Sequence, residues 1–278
     1  MRVISTNEEM SQACREAVKP IGLVPTMGAL HAGHLSLVDQ ARADNLTVAV
    51  SIFVNPTQFG DKADLEKYPR DLEGDLEMLR RHGVDLVYSP TVEEVYPEGF
   101  DTWVNVGPLA DKLEGRHRPG HFRGVATVVS KLFNVMSPNR AYFGQKDGQQ
   151  TVVIQQLVRD LDMGVEVVVM PTVREQDGLA MSSRNIQLSP EQRQAAPVVY
   201  RALCESHQLW MGGERNGDAL RAAAQAILQA ESQVDSIDYV SVANMTALDE
   251  LDQVEGRAMV SAAVHMRAVR LIDNIVLR

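Results

Sequence analysis

Three short stretches of the chain combine glycine with residue types that can bind phosphate. The first, PTMGALHAGH at residues 25–34, follows an apolar run at 21–24 and precedes apolar residues that recur at helical spacing from Leu35. This order predicts a buried strand, a tight loop and a helix. Gly28 and Gly33 let a ligand approach the backbone, and the positive end of the helix dipole favours an anion there.

Two histidines, His31 and His34, stand three residues apart in this loop. Their imidazoles can donate hydrogen bonds to phosphate oxygens and stabilise charge that develops during transfer. Two other interpretations are open. A metal site would use the same pair, but the glutamate of the zinc-protease helix motif and a third ligand at suitable spacing are missing. The histidines could also serve only to cap the helix.

The second stretch, FGQKDGQQ at 143–150, places Lys146 at a strand-to-helix junction. A cation is unfavourable beside the positive end of a helix dipole unless an anion joins them. Asp147 either accepts from ribose hydroxyls or caps the helix.

The third stretch, VREQDGLAMSSRN at 173–185, is typical of an anion-binding loop that closes over a triphosphate, although a turn with an N-cap gives the same pattern.

Polar side chains also follow the apolar run TVAVSIFV at 47–54. Ligands of an open parallel sheet bind beyond the carboxyl ends of its strands, so Asn55 and Gln58 are candidate contacts for a small polar molecule. Asn55 could equally cap its own turn. Residues 111–124 form a cationic, glycine-rich stretch, which predicts a mobile loop that either holds an anion or is a basic surface segment.

The elements that must position these residues alternate between strand and helix. This alternation predicts an α/β fold with a Rossmann-like, doubly wound parallel sheet over residues 1–172. Residues 60–71 and 92–99 are expected to be loops. A smaller α+β domain, 173–278, is predicted to contain a helix that opens at Ser189 and runs to Met211, a second helix and three strands. Its part after Ser189 holds no clustered chemistry, and the domain is expected to act as a lid.

Composition narrows the function classes. The 278 residues include 27 basic and 37 acidic side chains, a formal charge of -10, which argues against nucleic acid as a partner. No apolar run approaches the roughly 18 residues that span a bilayer, and the first residues lack the pattern of a signal peptide. The two cysteines, Cys14 and Cys204, predict packing roles rather than a disulfide framework. We therefore expect a cytoplasmic protein with no membrane partner.

The residues alone support an ATP-using enzyme that transfers a nucleotidyl group to a small polar acceptor.

Five motifs add a resemblance to a known family. PTMGALHAGH, SIFVNPTQF, RPGHFRGV, FGQKDGQQ and DGLAMSSRN, in this order and at these separations, resemble the pantoate-β-alanine ligase family over essentially the whole chain. The segments 31–34 and 181–184 are similar to the two signature loops of the HxGH nucleotidyltransferases, the class I aminoacyl-tRNA synthetase-like superfamily. Five motifs in register are far more specific than any one of them.

The resemblance implies a reaction and its site. Pantoate would attack the α-phosphate of ATP to form pantoyl adenylate and pyrophosphate, and β-alanine would then displace AMP. The family is a cytoplasmic homodimer that uses Mg²⁺. The phosphates would be bound by His31, His34, Lys146, Ser182, Ser183 and Arg184. Gly144 and Asp147 would hold the ribose, and the ATP site would also be lined by Met27, Gly33, Val173 and Met181. Gln58 and Gln150 would bind pantoate. Asp75 would help to place Mg²⁺.

The chain departs from the family pattern at three positions. Gly148 replaces a bulkier residue, often aromatic, and would loosen the helix start beside Lys146. Gly74 replaces a frequent acid beside Asp75, and Gln187 stands where tyrosine is common. Two alternative functions are an adenylyltransferase that keeps AMP on its product and a nucleotide-binding regulator without turnover.

Overall fold

A computed structural model describes all residues from 1 to 278, and six of the nine strands form one parallel sheet. The sheet order is β1-β4-β3-β2-β5-β6. From β2 the chain builds outward through β3 to β4, then returns to the other side of β2 for β5 and β6, so the sheet is doubly wound. The predicted fold class is confirmed. The strands are β1 (Arg2–Ile4), β2 (Ile21–Thr26), β3 (Thr47–Ile52), β4 (Leu86–Tyr88), β5 (Arg140–Gly144) and β6 (Glu166–Met170).

Apolar residues of the helices α2 (Ala32–Asp44) and α4 (Leu72–Arg81) pack against this sheet. All six residues of β3 are buried, as expected for a central strand covered on both sides. Val38 of α2 and Leu79 of α4 lie in the same apolar cluster as Val24 and Val50 of the sheet. The helices are α1 (Asn7–Glu16), α2 (Ala32–Asp44), α3 (Lys62–Lys67), α4 (Leu72–Arg81), α5 (Val92–Val95), α6 (Glu114–His117), α7 (His121–Met136) and α8 (Gly148–Asp160).

Three expectations about local structure are wrong. The segment 60–71 contains α3, because Asp61 accepts a hydrogen bond from the Ala63 N–H and caps a helix that its polar composition concealed. The segment 92–99 begins with α5. Residues 111–124 are largely helical, since α6 lies within them and α7 already begins at His121.

The C-terminal region builds a three-stranded antiparallel sheet of order β7-β8-β9. The predicted long helix after Ser189 is divided near Pro197, which has no N–H to continue the helical hydrogen bonds. Leu203, Leu220 and Val260 belong to the apolar core that joins these helices to the sheet. The elements are α9 (Pro190–Ala195), α10 (Val198–Met211), α11 (Gly217–Gln229), β7 (Ser236–Asn244), β8 (Ala258–Met266) and β9 (Val269–Leu277).

The chain forms two compact units that are not continuous in sequence. The first contains Met1–Ala110, Arg118–Gly144 and Val153–Met170, and the second contains Asp111–His117, Gln145–Val152 and Pro171–Arg278. Residues 111–117 and 145–152, which were expected in the first domain, therefore belong to the second unit. None of the helices combines the length and apolar character needed to cross a membrane.

Candidate active site

In the first unit, the loop between β2 and α2 turns sharply at Gly28 and Ala29, whose φ angles are +80° and +50°. A Cβ at position 28 would lie 2.9 Å from an oxygen of Asp75 and 3.1 Å from Ile52 Cγ2. Gly28 is therefore required both by its left-handed backbone and by the side chains beneath it.

The carboxylate of Asp75, on α4, holds this loop. Its oxygens accept hydrogen bonds from the N–H groups of Ala29 at 2.9 Å and Leu30 at 2.8 Å. Asp75 is only 1% exposed, and burial raises its pKa while the two backbone donors oppose that rise. The turn leaves these two N–H groups without a partner in a helix or strand. The carboxylate of Asp75 supplies the acceptor that water would otherwise provide.

His31 and His34 lie where the loop enters α2. His31 is the N-cap, and its Nδ1 accepts a hydrogen bond from the Gly33 N–H at 3.1 Å. This bond places the proton of a neutral His31 ring on Nε2. The two ring centroids are 4.1 Å apart. Capping and anion binding are therefore compatible, because the cap uses one nitrogen of His31 and orients the rest of the ring at the positive end of the helix.

The side-chain amide of Gln58 is fixed by neighbours within the first unit. Its oxygen accepts from Asn55 Nδ2 at 3.0 Å, and its nitrogen donates to Met27 Sδ at 3.2 Å. Asn55 is 1% exposed and also accepts from the Thr57 N–H and the Tyr96 hydroxyl. These contacts support the capping interpretation of Asn55. The side chain of Gln58, which is itself only 9% exposed, is held by that buried network.

The predicted cationic stretch contributes two side chains to the same place. His121 Nδ1 lies 2.8 Å from the backbone oxygen of Gln58, and Arg118 Nη2 donates to that oxygen at 3.4 Å. Helix α7 approaches so closely that a Cβ on Gly124 would collide with the backbone of Thr57. Arg118 and His121 therefore help to fix the backbone that carries Gln58.

In the second unit, Lys146 lies in a single 3-10 turn, Gln145–Asp147, just before α8. Its ammonium is 3.5 Å from an oxygen of Asp147, and the two side chains are 21% and 46% exposed. Since the pair is long and partly open to solvent, the ammonium keeps the capacity to bind an anion. Gln150, half-buried, lies in the first turn of α8.

The third predicted stretch forms a small hairpin followed by a 3-10 turn. Arg174 and Ala180 pair as a β-bridge, and the Met181 N–H donates to the Val173 oxygen at 3.0 Å. Ser182 accepts from the Arg184 N–H at 3.3 Å and caps the turn Ser183–Gln187. The hairpin thus joins the backbones of Val173 and Met181, two residues expected in the ATP site.

The three departures from the family pattern have different surroundings. A Cβ on Gly148 would lie 2.5 Å from Met259 Sδ, so Met259 occupies the space that a larger residue would need. A Cβ on Gly74 would collide with Asp71, the N-cap of α4. Gln187 is exposed.

The residues fit a metal ion only if it brings most of its own ligands. No group of three or more His, Cys, Asp or Glu side chains is arranged to hold a metal. Both oxygens of Asp75 already accept backbone hydrogen bonds. The donor set is therefore compatible with Mg²⁺ coordinated chiefly by ATP phosphates and water, and not with a cation held by protein alone.

Two residues that the sequence did not single out, Asp273 and Asn274 of β9, contact the segments that carry candidate ATP residues. Asp273 pairs with Arg174, and Asn274 bonds to the backbone of Gln145 and Lys146. Their only signal in the sequence is a pair of adjacent polar residues in the middle of a mostly apolar strand.

Comparison with known proteins gives concordant results. The pantoate-beta-alanine ligase family model matches residues 2–276. A pantothenate synthetase of Roseiflexus castenholzii is 57% identical over 277 residues, covering 100% of this chain and 99% of the relative. The crystal structure of pantothenate synthetase from Thermus thermophilus superposes with a TM-score of 0.95 at 48% identity, covering 99% of each chain. A pantoate-beta-alanine ligase from Francisella tularensis, complexed with beta-gamma ATP and beta-alanine, has a TM-score of 0.80 at 34% identity, covering 99% of this chain and 97% of that one.

Proposed function

This chain belongs to the pantoate-β-alanine ligase family, and we propose that it makes the amide bond between pantoate and β-alanine in two steps. In the first step the pantoate carboxylate attacks the α-phosphate of ATP, and pyrophosphate leaves with the electrons of the broken P–O bond. In the second step the amine of β-alanine attacks the acyl carbon of pantoyl adenylate, loses a proton and expels AMP. The protein supplies no nucleophile, so it acts by positioning and by stabilising charge.

The observation that carries this proposal is the histidine pair at the N-terminus of α2. His31 and His34 stand with ring centroids 4.1 Å apart at the positive end of a 13-residue helix. Donors fixed before the reaction stabilise developing negative charge without reorganising. The pair is therefore suited to phosphate oxygens that gain charge as the adenylate forms.

The remaining ATP contacts follow from the family resemblance and suit the local chemistry. Lys146 neutralises phosphate charge together with Ser182, Ser183 and Arg184, whose turn offers hydroxyls and a guanidinium. Gly144 and Asp147 hold the ribose. The ATP site is further lined by Met27, Gly33, Val173 and Met181.

Pantoate is bound by the side-chain amides of two glutamine residues. Gln58 and Gln150 donate and accept hydrogen bonds with its hydroxyl and carboxylate oxygens. The amide of Gln58 is already oriented by Asn55 and Met27, so binding costs little further side-chain freedom.

We also propose that Mg²⁺ accompanies ATP, where its charge would offset that of the phosphates, and that Asp75 helps to place it indirectly, by holding the loop. The resemblance further predicts a cytoplasmic homodimer, while the acidic composition and the lack of long apolar runs predict no nucleic acid or membrane partner.

The experiment is pyrophosphate release by the purified protein with ATP and Mg²⁺, first with pantoate alone and then with pantoate and β-alanine. Sustained release only with both, accompanied by AMP and an amide product, is the expected result. AMP retained on the product would instead indicate an adenylyltransferase. ATP binding without any pyrophosphate would indicate a regulator, and either result would overturn the proposal.

A further inference from the structure

The last strand, β9, contains two buried polar residues that no step of the proposed reaction uses. Asp273 and Asn274 are each 4% exposed. Successive residues of a strand point to opposite faces, so β9 is covered on both sides at this point. Burying polar groups is unfavourable unless hydrogen bonds compensate, and the partners of these two residues therefore show what they do.

Asn274 binds the turn that carries Lys146. Its Nδ2 donates to the backbone oxygens of Gln145 at 2.8 Å and Lys146 at 2.9 Å. Its Oδ1 accepts from Gln145 Nε2 at 2.8 Å. Both amide donors are thus used on two consecutive carbonyl groups. A turn of three residues has little rigidity of its own, so these bonds supply the restraint that it lacks.

Asp273 holds the strand from its other face. The carboxylate receives two hydrogen bonds from Arg174, at 2.5 and 3.0 Å, and the guanidinium lies 3.7 Å from the centroid of the Tyr200 ring. The backbone N–H of Asn274 donates to the same carboxylate at 2.7 Å, and Arg174 Nη2 reaches the Asn274 oxygen at 3.4 Å. Burial raises the pKa of Asp273, and the charge of Arg174 opposes that rise. The backbone of Asn274 is therefore restrained before its side chain meets the turn.

We propose that Asn274 is a positioning residue that fixes Lys146 through the backbone of its turn. Its catalytic consequence rests on the proposed function, because Lys146 must meet the phosphates of ATP for its position to matter. A displacement of about 1 Å in a charge-stabilising group can reduce a rate by up to about 10²-fold. Asparagine suits the position because only an uncharged amide offers two donors to the carbonyl groups and an acceptor to Gln145.

The test uses Asn274→Asp, which keeps the size of the side chain but places a carboxylate oxygen against two carbonyl oxygens. We expect kcat for pyrophosphate release to fall about 10- to 100-fold, while KM for pantoate changes by less than about 2-fold. Ser261→Ala is the matched control. Ser261 pairs with Asn274 across β8 and β9, and its buried hydroxyl has no hydrogen-bond partner. The control should keep wild-type kcat.

A double-mutant cycle separates positioning from a general structural role. If Asn274 acts through Lys146, Asn274→Asp should lower kcat by less than about 2-fold in a Lys146→Ala background. Losses that multiply in full would overturn the proposal.

Hydrogen exchange gives a readout that does not need turnover. Amides of residues 144–152 should exchange faster in Asn274→Asp than in Ser261→Ala, and equal exchange would contradict the proposal. If the wild-type protein released no pyrophosphate, the proposed function would fail, whereas the exchange comparison would still decide whether Asn274 holds the turn.

Discussion

The β2–α2 loop and the β5–α8 turn follow neighbouring parallel strands, yet they are held in different ways. The first is fixed by Asp75, whose carboxylate accepts from two consecutive backbone N–H groups within the same unit. The second is fixed by Asn274, whose amide donates to two consecutive backbone oxygens from a strand that lies at the far end of the chain.

We call Asp75 and Asn274 the anchors of these two segments. One anchor accepts hydrogen bonds and the other donates them, because the first loop presents backbone N–H groups and the second turn presents backbone carbonyl groups. A tight turn that enters a helix exposes unpaired N–H groups, which an acceptor such as Asp75 satisfies. The turn at Lys146 presents carbonyl groups to β9, which only a donor satisfies.

The largest effect should come from Lys146→Ala, which removes the charge that the second anchor positions. We expect pyrophosphate release with ATP and pantoate to slow by about 10²-fold or more, the scale for losing one preorganised charge contact. Lys62→Ala, at an exposed position of α3, is the control and should keep the wild-type rate. Near-normal activity in Lys146→Ala would show that Lys146 does not stabilise the reaction, so the way in which its turn is held would have no consequence for catalysis.

Much of the first loop could be predicted from sequence because its determinants are local. Apolar runs marked β2 and β3, helical spacing marked α2, and the glycines marked a turn with unusual backbone angles. The role of Asp75 beneath that turn was less accessible. An acidic residue on a predicted helix suggests a solvated face or a metal ligand, and only the fold shows that it meets two backbone donors.

The second turn was predictable only in part. The junction that carries Lys146 follows from the order of strand and helix, but its anchor lies in the C-terminal region, which was expected to hold no clustered chemistry. A single polar pair in a strand cannot reveal which backbone it will meet, because that depends on the fold of the whole second unit. For the same reason the sequence could not show that residues 111–117 and 145–152 belong to that unit.

The next largest effect concerns the first anchor. Asp75→Ala leaves the N–H groups of Ala29 and Leu30 without their acceptor, and each unsatisfied buried group costs about 1–3 kcal/mol. We expect the free energy of unfolding, measured in urea, to fall by about 2–4 kcal/mol, with Glu73→Ala on the exposed first turn of α4 as the control. Hydrogen exchange should accelerate at residues 27–35 and stay unchanged at 144–152. Acceleration of both segments would show that the loops do not have separate anchors.

The smallest effect tests the contact between β8 and the start of α8. In Gly148→Ala the new Cβ would lie 2.5 Å from Met259 Sδ and 3.0 Å from Asn274 Nδ2. The thioether can rotate away, so we expect the free energy of unfolding to fall by less than about 1 kcal/mol and kcat by a few-fold. The loss arises from crowding, since alanine is favoured over glycine inside a helix by up to about 1 kcal/mol.

The same substitution should therefore be neutral or stabilising once Met259 is shortened. In a cycle of Gly148→Ala with Met259→Ala, measured by urea unfolding, the coupling should favour the double variant by about 0.5–1.5 kcal/mol. Additive effects would mean that Met259 does not restrict position 148. Restored stability without restored kcat would place the functional loss at Asn274, because its side chain is the other group that the new Cβ meets and the one that holds Lys146.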